Sequence, residues 1–393
     1  MTDVLLEWSE GAIRRCARWR SEAGVAPPTR VRVVDDTLAA DQAFRFASEG
    51  NGLLWRSDFH NARHLLQAIG RRMERTSSRK KAPAIPLEAF HQHRLAQGQR
   101  ASVLGRVLIE LGGDYTISLP RAPDLRLACR EAWGPPDGQP SVASLRELLG
   151  LVGAHEWRKK GVEIAALGPP PGNRIHPHYG VFSPVRGEYL DLVANAPLPS
   201  RQLAFDIGTG TGVLAAILAR RGVRRIIATD QDRRALACAA ENIGRLGLQS
   251  QVEVVAADLF PPGRAPLVVC NPPWLPARAS APLERAIYDE GSRMLHGFLG
   301  GLAAHLEPGG EGWLIMSDLA ELLGLRGPQD LATWIAAANL RVLAREQVRP
   351  RHPKAADERD PLHAARAREH TSLWRLAARS RDEHPQRGER ARR

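Results

Sequence analysis

From about residue 180 onward, short apolar runs alternate with stretches in which apolar residues recur every three to four positions. The first kind reads as buried strands and the second as amphipathic helices. Strands are expected at Leu203–Ile207, Arg225–Thr229, Val252–Ala256, Leu267–Cys270 and Trp313–Met316. A helix is expected near 329–338, and two last strands in "LRVLAREQV" and "TSLWRLA". Strands separated by helices imply a parallel sheet with crossovers. The expectation is therefore an α/β fold on a seven-stranded, Rossmann-like, doubly wound sheet.

Residues 1–165 have another texture, helical patterns with a few short strand candidates, and read as a mainly helical α+β unit that recognises substrate. In "DFHNARHLLQAIGRRMER", Ala62, Leu65, Leu66 and Ile69 fall on one helix face, with Asp58 as N-cap. The stretch "LGPPPGNRIHPH" reads as loop, giving a linker at 166–180 and a sheet domain at 181–378. "RPRHPKAADERDPLHAARAREH", between the last two strands, reads as a mobile insertion. The basic tail 379–393 lacks core-forming residues and reads as disordered.

Composition narrows the class. With 43% hydrophobic and 25% charged residues in a chain of 393, the chain has the make-up of a soluble globular protein. No apolar run approaches the ~18 residues of a membrane span, and the N-terminus lacks a signal-peptide layout. Cys16, Cys129, Cys238 and Cys270 are scattered without a C-x-x-C pair. That argues against a disulfide framework or a metal site and fits the cytoplasm. His176 and His178 flank Pro177 and read as an exposed pair, with nothing nearby to complete a ligand set.

The net charge of +12 suits a polyanionic partner. Trp55 and Phe59 precede the run "RRMERTSSRKK", so Arg71, Arg72, Arg75, Arg79, Lys80 and Lys81 are candidate phosphate contacts. The competing reading of that run is a solvated helix end. Cys270, Trp313 and Trp334 read as core.

Chemistry gathers at the strand ends. In "LAFDIGTGTGVLAAILARR" an apolar strand ends at Asp206, and Gly208, Gly210 and Gly212 precede a helix. Glycines let the chain turn tightly and let a ligand approach the backbone. The G-x-G-x-G spacing departs from the G-x-G-x-x-G that admits a pyrophosphate. S-adenosylmethionine has no phosphates and needs no anion cradle. Asp230 ends the second strand about twenty residues on, where a carboxylate can accept ribose hydroxyls. Asp258 follows the third strand, placed to accept from an adenine amine. Each acid alone could be a helix cap, but three at successive strand ends point to the ligand-binding edge of an open α/β sheet.

The fourth strand ends in "VVCNPPWLP", which puts Asn271 on that same edge. The Asn271 side-chain oxygen and the Pro272 carbonyl can both accept from a planar –NH2 group. Conjugation makes such a nitrogen a poor nucleophile, and two acceptors draw it toward a tetrahedral shape that frees its lone pair. Pro272 and Pro273 stiffen the loop. Trp274 offers a plane on which a base can stack, worth ~1–3 kcal/mol.

Together, "DIGTGTG", Asp230, "AADLF" and "NPPW" resemble the class I S-adenosylmethionine-dependent methyltransferases, in the "methyltransferase small" group with an N-P-P-[YFW] motif, across about 180–378. The resemblance implies cofactor binding by Asp206, Gly208, Gly210, Gly212, Asp230 and Asp258. It implies acceptor binding by Asn271, Pro272, Pro273 and Trp274, and needs no metal. Group members methylate base amino groups in RNA or DNA, or glutamine side chains of translation release factors. The latter usually carry Tyr where Trp274 stands. Charge inclines the reading to RNA or DNA, with the glutamine amide of a translation protein as the alternative. "GVFSPVRGEYLDLV" places Arg186 and Glu188 either at the cofactor pocket or at a solvated helix start. A non-catalytic module that binds the cofactor or nucleic acid, and an NAD-dependent oxidoreductase, are the remaining readings.

Overall fold

The computed structural model describes residues 4–77, 84–279, 282–351 and 357–379. Its first part is mainly helical, as the sequence suggests, and its short strands join in one six-stranded sheet. The strands are β1 (Leu5–Glu10), β2 (Ile13–Arg20), β3 (Val31–Val34), β4 (Gly52–Trp55), β5 (Val107–Leu111) and β6 (Ser141–Ser144), in the order β1-β2-β6-β5-β4-β3. Four of these are only four or five residues long, too short for periodicity to mark them. The helices are α1 (Ala40–Ser48), α2 (Phe59–Ser77), α3 (Pro86–Leu104), α4 (Arg126–Trp133) and α5 (Leu145–Lys160).

The helix α2 follows its pattern: Ala62, Leu65, Leu66 and Ile69 are buried, and Asp58 accepts from the His60 N–H at 2.8 Å as a cap. Burying one such side chain contributes about 1.5–3 kcal/mol. Trp55 and Phe59 are equally buried there, so they present no stacking surface beside the basic run, contrary to expectation. Arg72 is paired with Asp41, and Arg79, Lys80 and Lys81 lie outside the described residues.

The expected linker is instead part of the second core. The strands β7 (Val162–Glu163) and β8 (Arg174–Ile175) pair, and Val162, Ile164, Leu167 and Ile175 are buried against the second sheet. Proline and glycine marked the turns, but the few apolar residues between them were enough to dock the segment. His176 and His178 are correspondingly half-buried, with His178 Nε2 2.7 Å from Glu241.

The second sheet contains β9 (Leu203–Ile207), β10 (Arg225–Asp230), β11 (Val252–Ala256), β12 (Ala265–Cys270), β13 (Leu306–Ser317), β14 (Leu340–Val348) and β15 (Thr371–Ala378). Their order is β11-β10-β9-β12-β13-β15-β14, with β15 antiparallel to both neighbours. The helices α6 (Glu188–Asn195), α7 (Val213–Arg220), α8 (Arg233–Arg245), α9 (Arg293–His305), α10 (Leu319–Leu322), α11 (Asp330–Ala337) and α12 (His363–Arg366) flank it. This is the Rossmann-like, doubly wound sheet expected from the alternation. The chain winds outward from β9 to β11 and returns on the other side of β9 at β12. A crevice therefore opens beyond the carboxyl ends of β9 and β12.

Two contact zones join the sheets. Along α8, Arg234 pairs with Glu22 at 2.8 Å, and Arg158 pairs with Glu241 at 2.6 Å. Across the crevice, Ala89 and Phe90 of α3 share an apolar cluster with Leu275, Leu319, Leu323, Leu362 and Ala365. The last two belong to the supposed mobile insertion. Its residues 352–356 lie outside the described residues, but the rest packs on α10. Residues 380–393 of the expected tail also lie outside them.

Candidate active site

The crevice is a cleft of about 1320 Å³, above the size of a pocket for one small ligand. Gly208, Gly210, Asp230, Asp258, Asn271, Pro272, Pro273 and Trp274 all line it. Asp206 and Gly212 do not; they stand one layer behind the loop.

Asp206 is fully buried near the end of β9. Its Oδ2 accepts the Thr209 hydroxyl at 2.6 Å and the Ala215 N–H at 3.1 Å, tying the loop to the first turn of α7. Burial pushes its carboxyl up to about 6, although both hydrogen bonds favour the charged form. Its Oδ1 is buried without a partner. The β strand's alternation aims this side chain inward, which the spacing of the acids alone could not show.

The glycines in front have left-handed φ, +68° at Gly208 and +56° at Gly210. A Cβ on Gly208 would press on the Met294 methyl, and the positive φ itself favours glycine there. The Gly210 N–H donates to Asp230 Oδ2 at 3.0 Å, and the Asp232 N–H to Asp230 Oδ1 at 2.9 Å. The side chain lines the cleft, where a carboxylate can accept from a hydroxyl. Desolvation raises the Asp230 carboxyl above its ordinary value against those two N–H groups. A carboxylate seated on the loop's own N–H would repel a pyrophosphate. This arrangement fits a phosphate-free adenosyl cofactor.

On the other side of the switch point, Asn271 follows β12 directly. The Trp274 indole donates Nε1–H to Asn271 Oδ1 at 2.9 Å, leaving that oxygen one further lone pair. The ring is half-buried between the two apolar clusters that cover the sheet faces. Arg186 lies over it, 5.6 Å from the ring centroid. Arg186 lines the cleft while Glu188 is buried beneath, so this segment is not a solvated helix start. Cys270 points into the core, where burial raises its thiol well above the ordinary range. Trp313 is fully buried, and Trp334 is half-buried against the same cluster as Met294.

Several lining residues had no signal in the sequence. His93, Arg94 and Gln97 come from α3, and Arg359, Asp360 and Arg366 from the insertion. Arg94 bonds Glu284 at 3.1 Å and lies 4.1 Å over the Tyr288 ring, fixing the loop that follows Trp274. These residues stand alone in their local stretches, and no spacing marks them. Among the described residues, no group of His, Cys, Asp and Glu could hold a metal ion. Among them also, no helix is long and apolar enough to cross a membrane.

Residues 173–322 match the methyltransferase small domain family. The chain is 35% identical over 195 residues to the release factor glutamine methyltransferase of Cereibacter sphaeroides, covering 46% of this chain and 65% of that one. It is 34% identical over 134 residues to a ribosomal protein L11 methyltransferase of Sorangium cellulosum, covering 34% and 36%. It is also 40% identical over 89 residues to a tRNA1(Val) (adenine(37)-N6)-methyltransferase of Bacteroides fragilis, covering 21% and 38%. The chain thus spans between about a third and two thirds of these relatives' lengths.

Proposed function

We propose that the protein is an S-adenosylmethionine-dependent N-methyltransferase of the class I type, a reading supported by the match of residues 173–322 to the methyltransferase small domain family. Its acceptor is a planar amino nitrogen of a macromolecule, read first as an amino group of a base in RNA or DNA. One observation carries the reading. The Asn271–Trp274 segment faces the glycine loop and Asp230 across the switch point of one sheet, in one cleft.

Gly208 and Gly210 let the cofactor approach the backbone, Asp230 accepts its ribose hydroxyls, and Asp258 accepts its adenine amine. Asp206 and Gly212 shape the loop from behind. The cofactor, when bound, supplies a methyl group on a sulfonium leaving group. Asn271 Oδ1 and the Pro272 carbonyl accept the two hydrogens of the acceptor nitrogen and hold it in line, with Pro272 and Pro273 keeping the loop stiff. All four cysteines are free thiols, which supports a cytoplasmic place of action.

A protein glutamine amide presents the same planar –NH2, and the 195-residue match to a release factor glutamine methyltransferase favours it as the second reading. The test incubates purified protein and tritiated S-adenosylmethionine with extract from cells lacking this protein, then divides the product by nuclease and protease. Label destroyed by ribonuclease or deoxyribonuclease is the expected result. Label destroyed by protease alone moves the acceptor to a protein amide. No label in any fraction, with no cofactor binding by calorimetry, sinks the activity.

A further inference from the structure

One arginine ties the N-P-P-W segment to two carboxylates from other parts of the chain. Arg186 precedes α6, and its Nη2 donates to Glu369 Oε2 at 3.2 Å. Its Nε lies 3.3 Å from Glu188 Oε1, too bent for a hydrogen bond. Glu188 and Glu369 are only 4% and 1% exposed. The second oxygen of Glu369 accepts the Ser317 hydroxyl at 2.7 Å, at the end of β13. Swinging the guanidinium away would strand two buried carboxylates, so Arg186 is held where it is.

What it is held against is the Trp274 ring, 5.6 Å from its centroid, and that indole donates to Asn271 Oδ1. Contacts therefore run without a break from Ser317 through Glu369, Arg186 and Trp274 to Asn271. An Asn amide fits its site in two flips of nearly equal shape, one presenting oxygen and the other –NH2. A donor fixed beside it selects the flip that puts oxygen at that spot. The other flip would set the –NH2 against the indole N–H and turn a donor toward the acceptor's own hydrogens.

We propose that Arg186, held by Glu188 and Glu369, is a positioning residue that pins the Trp274 indole and through it selects the Asn271 flip that meets the acceptor nitrogen. The consequence for catalysis rests on the methyl-transfer reading above; the pinning itself does not. It also gives the insertion before β15 a task, since that segment delivers Glu369.

The test labels the full chain with fluorotryptophan and identifies the Trp274 fluorine resonance by its loss in Trp274→Phe. Arg186→Met removes the charge at similar volume. It is expected to shift and broaden that resonance and to slow tritium transfer to the extract ~10-fold, with S-adenosylmethionine affinity by calorimetry within about twofold of wild type. Arg186→Lys, which keeps a cation over the ring, is expected to restore the resonance and most of the rate. An unmoved, sharp resonance in folded Arg186→Met overturns the proposal. So does a loss of cofactor affinity as large as the loss of transfer, because Arg186 would then be a cofactor ligand. If Arg186→Met does not fold, Glu369→Gln, of the same shape, reads the same resonance with the same two outcomes. If the wild-type protein neither binds the cofactor nor transfers methyl, the activity reading fails while the resonance still decides the pinning.

Discussion

The two halves of the cleft are built by opposite means. The half proposed to hold the cofactor comes from one continuous stretch, 203–258, in which each strand delivers its polar residue at the same edge. Its interactions are short in sequence: Asp206 with Thr209 and Ala215, Asp230 with Gly210 and Asp232. The half proposed to hold the acceptor is assembled from remote pieces. Arg186 reaches Glu369, 183 residues away, and Arg94 reaches Glu284, 190 residues away. A methyl-donor site that serves any acceptor can be encoded locally. A site for one particular acceptor draws on whatever the fold brings to the other wall, including a separate sheet and an insertion. Ion pairs, one of them with the buried Glu369, are the fasteners on that wall.

Four measurements would break or sharpen this contrast. The largest effect is expected in the cofactor half's hidden anchor. Asp206 holds its proton more tightly folded, at about 6, than unfolded, where its carboxyl has its ordinary value of 3.8. Its contribution to stability is thus greatest in acid, declines as pH rises from about 4 through about 6, and stays low above, a change of about 3 kcal/mol. Asp206→Asn is expected to remove that decline, gaining on wild type in urea unfolding as pH rises from about 4 to about 6 and keeping that gain above. Parallel pH profiles for the two proteins would show that Asp206 ionises freely.

Next comes the acceptor half. Asn271→Ala is expected to slow methyl transfer on the order of 100-fold or more at unchanged cofactor affinity. Normal turnover in that variant would remove Asn271 from the reaction. Asp230→Ala should do the reverse, weakening S-adenosylmethionine binding by ~1.5–3 kcal/mol through loss of charge-assisted hydrogen bonds to the ribose. Calorimetry showing wild-type affinity would take Asp230 out of the site. The smallest effect is expected at Arg94. Arg94→Ala frees the loop at 284–288 and should lower transfer at limiting acceptor by about 1 kcal/mol, roughly fivefold, leaving cofactor binding intact. A matching fall in cofactor affinity would erase the division between the halves.

Legibility followed the same division. Asp230, Asp258, Asn271 and the glycines could be placed because each follows a short run dominated by apolar strand-formers, and runs that alternate with helices mark the strands of a parallel sheet. Asp206 lay in the same pattern yet turned out to support the loop from behind, since its direction depends on the strand's alternation and on what packs there. Trp55 and Phe59 misled for a related reason. Aromatics beside cations look like a nucleic-acid surface in one dimension, but α2 presents Phe59 on its core face and β4 is buried on both sides. The linker was misread because Pro and Gly mark turns whether or not the residues between them dock.

By itself the sequence determined the doubly wound sheet and the gathering of polar residues at its carboxyl edge, and it carried the resemblance on which the methyl-transfer proposal rests, because strand period, glycine spacing and the N-P-P-W segment act over a few residues. Only the tertiary structure decided that Arg186, held by Glu369, and Arg94 of α3 line the same cleft. Their pairing is electrostatic and long-range, and a single charged residue carries no local mark of the partner that folding will set against it.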